Sequence, residues 1–187
     1  MIQESRFSLP ASCALMNEWS SVQAELRDMN VMAQGLLYSW ESVPDSASRM
    51  IFFQKNVGIA GRANTNLQIT GQLPGNELFL IQSLRLRLRG SGLLALPISW
   101  LWDTMSRGAL ELIIANRVQA IRSLPAAWET PYPFDPPMLI LPMRPFSVRL
   151  SFTPSLDRPT FYGTDQFDDH AWQIGIELHG SRFMAER

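Results

Sequence analysis

Alternation of apolar and polar residues is clearest at residues 84–90, which read LRLRLRG. The leucines alternate with Arg85, Arg87 and Arg89 until a glycine ends the run. Successive side chains of a β-strand point to opposite faces, and no helix separates two such sets so cleanly. The run therefore predicts a strand with its leucines on a core and its arginines on the opposite face.

The same period of two predicts a β-rich chain. An unbroken strand over 79–90 would place Phe79 on the arginine face. Residues 109–121 predict two short strands hinged near Ala115 and Asn116, with a helix as the alternative. Further strands are predicted at 51–54, 138–141, 146–152 and 171–180. Alternation in each of the longer runs indicates one face on a core and one face elsewhere.

One segment has a helical period instead. Apolar residues follow each other at spacings of three and four and form one stripe, which predicts a helix over about 13–33 with Ser12 as N-cap and Gly35 near its end. Such a helix either packs on its own domain or docks on a neighbouring chain as a terminal arm. The stripe comprises Leu15, Trp19, Val22, Leu26, Met29, Ala33 and Leu36.

Segments rich in glycine and proline separate the predicted strands. Residues 57–76 contain four glycines and read as loop and turn, and residues 124–145 hold seven of the thirteen prolines, which predicts a long, stiff connection. The fold class expected is mainly β, a single antiparallel sandwich or barrel with an N-terminal helical extension. We divide the chain into a helical arm, 1–45, and a β-domain, 46–187.

Composition favours a protein that contacts other proteins. Only 18% of the residues are charged, below the usual ~25%. Lys55 is the one lysine among sixteen basic residues, and arginine, tryptophan and methionine are enriched where proteins meet. A net charge of −1 argues against a surface that binds nucleic acid throughout.

Nothing in the sequence indicates catalysis. The single cysteine, Cys13, excludes an intrachain disulfide and a multi-cysteine zinc site. The only histidines are His170 and His179, with no serine motif beside them. Asp168 and Asp169 precede His170, but a polar loop explains this cluster as well as a metal site does. We expect no enzyme, no metal and no cofactor.

Four runs resemble the jelly-roll domain in coat proteins of small icosahedral bacteriophages. NTNLQITGQLPGNELFLIQSLRLRL (64–88) is similar to a polar lead-in and long strand, and GALELIIANRVQAIRSLPAAW (108–128) to middle strands. PPMLILPMRPFSVRLSF (136–152) resembles the next pair, and WQIGIELHGSRFM (172–184) the closing strand with its arginine-bearing tail. The likeness spans roughly 50–184 and is one of strand character.

The resemblance implies a jelly-roll capsid subunit, major or minor, located in the virion and made in the host cytoplasm. Its partners would be copies of itself and other capsid proteins, with packaged nucleic acid or an internal membrane as alternatives through the arm or the arginine face. The interface residues implied are Trp19, Val22, Leu26, Met29, Arg85, Arg87, Arg89, Trp128, Tyr132, Phe134, Phe161 and Tyr162.

Other functions fit parts of the same sequence. A β-sandwich that binds carbohydrate would use surface aromatics and loop carboxylates, and a cupin-type metal enzyme would use histidines on neighbouring strands. For Arg85, Arg87 and Arg89, the alternatives are nucleic acid, a neighbouring protein, or solvent with cross-strand pairs to Glu111 or Glu177.

Overall fold

The computed structural model describes residues 29–42, 49–90, 109–121, 130–151 and 172–185. Within these ranges the chain forms eight β-strands and one short helix. No helix in this part of the chain is long and apolar enough to cross a membrane. The elements are β1 (Met29–Ser42), β2 (Arg49–Phe52), α1 (Val57–Ala60), β3 (Glu77–Gly90), β4 (Ala109–Ile114), β5 (Arg117–Ile121), β6 (Tyr132–Ile140), β7 (Phe146–Ser151) and β8 (Trp172–Ala185).

The strands form two antiparallel sheets of four. The first sheet has the order β1-β8-β3-β6, and the second has the order β2-β7-β4-β5. The pairing is nested, since β1 pairs with β8, β2 with β7, β3 with β6, and β4 with β5. Two further ladders, β3 with β8 and β4 with β7, complete the sheets. The predicted mainly β, sandwich-like fold is confirmed.

The core lies between the two sheets and follows the alternation of the sequence. In β3 the core residues include Leu84 and Leu86, and in β8 they include Ile174, Ile176 and Leu178. All five side chains are fully buried. β7 contributes its own alternate residues in the same way, as its pattern predicted.

The hairpin predicted within 109–121 is present. β4 and β5 pair from Leu110 opposite Ile121 to Ile114 opposite Arg117. The two residues between them, Ala115 and Asn116, have φ angles of 46° and 68°. Positive φ at both central residues is what a tight two-residue hairpin loop requires, so the helical alternative is wrong.

The first strand corrects part of the predicted N-terminal helix. Residues 29–33, which the helix was to include, belong to β1, and Gly35 lies inside this strand. The strand pairs with β8 over almost its whole length, which satisfies its backbone groups on that side. The helix prediction is therefore wrong from Met29 onward, and residues 13–28 lie outside the described residues. The boundary at residue 45 stays a prediction, although β1 precedes it.

The proline-rich connection is shorter than predicted because much of it is strand. β6 extends over nine residues instead of the four predicted at 138–141. It contains Pro133, Pro136 and Pro137 and forms an edge of the first sheet. An edge strand tolerates proline because one side of it makes no ladder hydrogen bonds.

A bulge in β3 changes which residues face the core. The register shifts between Ile81 and Ser83 in both ladders of this strand. Before the shift, Phe79 and Ile81 belong to the core, and after it Leu84 does. One extra residue reverses the face of every later side chain. Phe79 is therefore a core residue, and its predicted place on the arginine face is wrong.

Two glycines make room for the Phe79 ring. A Cβ on Gly35 would lie 2.7 Å from Phe79 Cε2, and one on Gly180 would lie 3.1 Å from Phe79 Cε1. These two glycines are directly paired across β1 and β8. The ring of Phe79 thus lies across both strands, which no larger residue at either position would allow.

Residues after α1 cover the free edge of β1. Tyr38 N donates to Asn66 Oδ1 at 3.0 Å, and Asn66 Nδ2 donates to the Leu36 carbonyl oxygen at 2.6 Å. Trp40 N donates to the Asn64 carbonyl oxygen at 2.7 Å. These bonds occupy edge groups that would otherwise be open to another strand.

The packing at Gly180 generates a test of the fold. A Cβ there would lie 1.8 Å from the Leu80 carbonyl oxygen, so we expect Gly180→Ala to destabilise the protein by at least about 3 kcal/mol, as measured by urea denaturation. Gly75→Ala is the matched control, because its Cβ would make an ordinary contact of 3.8 Å with Met143 Cγ. Equal stability of the two variants would contradict the close approach of β3 and β8.

Candidate interaction surface

The predicted interface arginines share one face of the first sheet. We call Arg85, Arg87 and Arg89 the arginine row; they lie on the outer face, opposite the core, and pair with residues of β8. The neighbouring Leu84 and Leu86 are fully buried, as the alternation predicted. The row is therefore held by a central part of the sheet and not by a loop.

Arg89 is the most firmly held member of the row. Its Nε donates to Gln173 Oε1 at 2.7 Å, and its Nη1 donates to the Ala63 carbonyl oxygen at 2.9 Å. Its Nη2 donates to Asn64 Oδ1. The guanidinium thus reaches from β3 across β8 to the residues that cover the edge of β1. Arg89 therefore connects β3 to β8 and to the residues beside β1.

An indole ring forms the floor under that guanidinium. Arg89 Cζ lies 4.2 Å from the centroid of the Trp40 ring, within the range of a cation–π interaction. A Cβ on Gly175 would lie 2.7 Å from three atoms of this ring, so the ring lies flat on the glycine. One face of Trp40 is on Gly175, and the guanidinium lies over the ring.

Burial shifts the pKa of Arg89 but does not remove its charge. Removal from water lowers the pKa of its guanidinium, and the electrostatic effect of the neighbouring Tyr38 hydroxyl acts in the opposite direction. An arginine starts so far above neutrality that it keeps its charge at pH 7. Arg89 therefore supplies a permanent positive charge beside Trp40.

The other two arginines are held less completely. Arg87 Nε lies 3.8 Å from Glu177 Oε1, which is an ion pair without hydrogen-bond geometry, and the Arg87 side chain is 44% exposed. Arg85 is directly opposite Glu177 in the ladder, yet its Nε is buried and has no hydrogen-bond partner among the described residues. His179 Nε2 lies 3.3 Å from Glu177 Oε2. The Glu177 carboxylate thus lies close to both Arg87 and His179.

The second carboxylate considered for the row belongs elsewhere. Glu111 Oε2 accepts a hydrogen bond from Arg149 Nε at 2.6 Å on the second sheet. Of the two predicted cross-strand pairs, the structure therefore contains the one with Glu177 and not the one with Glu111. The arginine row keeps an excess of positive charge.

Tyr132 and Phe134 are strand residues and not loop aromatics. They lie in β6, with ring centroids 5.8 Å apart, and Phe134 is a buried member of the core. Both line a groove of about 710 Å³ between the edge strands β5 and β6, together with Ile114 and Met138.

Several predicted interface residues lie outside the part of the chain that the structure describes. Met29 is the first residue of β1. The residues outside the described ranges are Trp19, Val22, Leu26, Trp128, Phe161 and Tyr162.

The metal alternative finds no further support among the described residues. Across the described ranges, no group of three or more histidine, cysteine or acidic residues could hold a metal ion. His179 is on the outer face beside Glu177, whereas Asp168, Asp169 and His170 lie outside the described residues.

Sequence reasoning missed Trp40 and Tyr38. Both alternate with the inward-facing Leu37 and Ser39, and this short run of period two was the available signal. The helical spacing that continues to Leu36 concealed it. Contacts of Arg89 with residues at 63–64 and 40 had no local signal at all.

Comparison with family models, with curated proteins and with solved structures finds no match to this chain. Its function must therefore be argued from its own residues and their arrangement.

The contact between Trp40 and Arg89 can be measured by a double-mutant cycle. We expect Trp40→Leu and Arg89→Gln to show a coupling energy of roughly 0.5–2 kcal/mol in urea denaturation, because each change removes the same cation–π contact. A cycle of Trp40→Leu with Arg149→Gln, on the other sheet, should show almost none. Equal coupling in the two cycles would contradict a specific contact.

Proposed function

We propose that this protein is a structural subunit of an icosahedral bacteriophage coat, built on one jelly roll. The subunit would form lateral contacts with copies of itself and with other coat proteins, and it would need no cofactor and perform no catalysis. The bacteriophage part of the proposal rests on the sequence runs that resemble such coat proteins. The fold part rests on the strand pairing.

The nested pairing is the observation that carries the proposal. A jelly roll has eight strands in two sheets with two Greek keys. Its topology arises when one long two-stranded ribbon folds over, so that successive pairs go alternately to the two sheets. Here the pairs β1–β8 and β3–β6 are in the first sheet, and the pairs β2–β7 and β4–β5 are in the second.

The arginine row supports a protein partner for the outer face. Arg87 is about half exposed, and its ion-pair partner Glu177 lies 3.8 Å away, beyond hydrogen-bond distance. Carboxylates or carbonyl oxygens of a neighbouring subunit could complete the exposed Arg87 guanidinium, because arginine makes strong charge-assisted hydrogen bonds. The exposed and loosely paired Arg87 is therefore a reason for a neighbouring subunit to cover this face.

Trp40 is a poor platform for a sugar ring. A carbohydrate-binding site offers an open aromatic face, but Gly175 lies under this indole and the Arg89 guanidinium lies over it. The sequence-based alternative of a carbohydrate-binding module gains nothing from this aromatic residue. We therefore favour the structural role.

The first test is the state of association of the purified full chain. We expect large or closed oligomers whose fraction rises with protein concentration, as measured by size-exclusion chromatography with light scattering and by electron microscopy. A chain that stays monomeric at high concentration and binds a glycan array would contradict the coat proposal and favour the carbohydrate-binding module.

The second test concerns the arginine row. We expect Arg87→Glu to keep the fold but to weaken association on the order of tenfold or more, because reversed charge disfavours a partner chosen for a cation. Arg49→Glu is the matched control: its exposed side chain lies at the start of β2 in the other sheet, and this variant should associate normally.

A charge swap separates assembly from stability. Arg87→Glu combined with Glu177→Arg restores an ion pair within the subunit at the same net charge. If the defect came only from repulsion inside the subunit, the double variant would associate normally, and the proposed role of Arg87 in the interface would be wrong.

A further inference from the structure

The outer face of the first sheet carries a second apolar cluster, away from the arginine row. Leu78 pairs with Phe183 and Leu80 pairs with Leu139, so these four residues share one face of the sheet. We call them the outer cluster. The bulge after Ile81 puts this face opposite the core, and none of the four belongs to the core cluster.

The outer cluster is nevertheless buried. Each of its four side chains is at most 2% exposed. Along a strand with one face on the core, the residues of the other face are normally polar. A contiguous apolar patch on that outer face is usually covered. Apart from the pairing within the two sheets, the main contact between described elements is that of β1 with β2, so no described helix or strand packs extensively on this end of the face. The cover therefore comes chiefly from residues outside these strands and the short helix.

The route of the chain brings the N-terminal segment to this end of the face. β1 begins at Met29, which pairs with Ala185, and two residues later Val31 pairs with Phe183 of the outer cluster. The 28 residues before β1 therefore join the sheet beside the cluster. The segments 91–108 and 152–171 join it at the opposite end, where Gly90 pairs with Trp172.

The sequence of that N-terminal segment has the complementary surface. With β1 starting at Met29, the predicted stripe is reduced to Leu15, Trp19, Val22 and Leu26. Leu26 is three residues before Met29, so it can be no farther than roughly 11 Å from the start of the strand. A helix of about sixteen residues would be about 24 Å long, enough to cross four strands spaced by about 4.8 Å.

We propose that the N-terminal segment 13–28 packs its apolar stripe on the outer cluster of its own subunit. The segment then closes this end of the face and leaves the arginine row uncovered for partners. This inference does not depend on the coat function, because it follows from burial, pairing and the path of the chain.

Cysteine accessibility in the full chain tests the proposal. In a Cys13→Ser background, Leu80→Cys reports on the outer cluster and Leu86→Cys reports on the core. A thiol reagent should modify neither cysteine quickly, because both leucines are buried. Adding Leu26→Asp, which puts a charge on the stripe, should speed modification at position 80 on the order of tenfold or more and leave position 86 protected.

Ala24→Asp is the matched control, because helical spacing puts residue 24 on the side of the segment away from the stripe. It should leave both positions protected, whereas Trp19→Asp should repeat the effect of Leu26→Asp. If the stripe variants leave position 80 protected, another segment covers the cluster and the inference is wrong. If they expose positions 80 and 86 alike, the stripe is not confined to this face, and the inference is wrong as well.

Dilution distinguishes the subunit's own segment from that of a neighbour. Protection at position 80 should not change with protein concentration, because the segment belongs to the same chain. Protection that disappears on dilution would mean that a second copy supplies the cover, which would overturn packing within the subunit.

Discussion

Successive side chains of a regular strand point to opposite faces, so only every second residue can reach a given core. This constraint governs the first sheet. β3 escapes it through the register shift between Ile81 and Ser83. One extra residue lets the same strand bury leucines on opposite faces before and after the bulge. The core, the arginine row and the outer cluster all take their positions from this irregularity. Without it, the arginines would point inward or Phe79 would leave the core.

The outer face is organised in two regions by the same strand. At one end, apolar residues of β3 and β8 form a buried patch; at the other, Arg89 connects β3 to β8 and to the residues beyond β1. Trp40 supports this connection because Gly175 lets its ring lie flat on the sheet. The freedom of the arginines thus increases from Arg89 to Arg87. The outer face therefore holds a fixed arginine, Arg89, beside a freer one, Arg87.

Much of the fold could be predicted because its signals are local. The hinge at Ala115 and Asn116 and the alternation of β7 both depend on neighbouring residues, and the sequence predicts both. β1 was missed because its pairing with β8 bridges the length of the chain, while a helical spacing extends to Leu36. The prolines of β6 are tolerated only because the strand is at an edge. Position in a sheet is a tertiary property, so these features required the structure.

The site was predictable to a similar depth. Alternation indicated that the arginines share an outward face, but it gave no information on which of them are tethered. The contacts of Arg89 with Trp40 and Asn64 join residues that are distant in sequence. The outer cluster was unpredictable for another reason, since it depends on a bulge that polar residues at 82 and 83 do not announce.

The hydrogen bonds that cover β1 have a consequence for folded molecules that meet at this edge of the sheet. Asn64 and Asn66 occupy backbone groups that a strand of a second molecule would need in order to extend this sheet. Two folded molecules cannot join at this edge without first breaking those bonds. The hydrogen bonds of the two asparagines thus oppose extension of the sheet into a fibre through this edge.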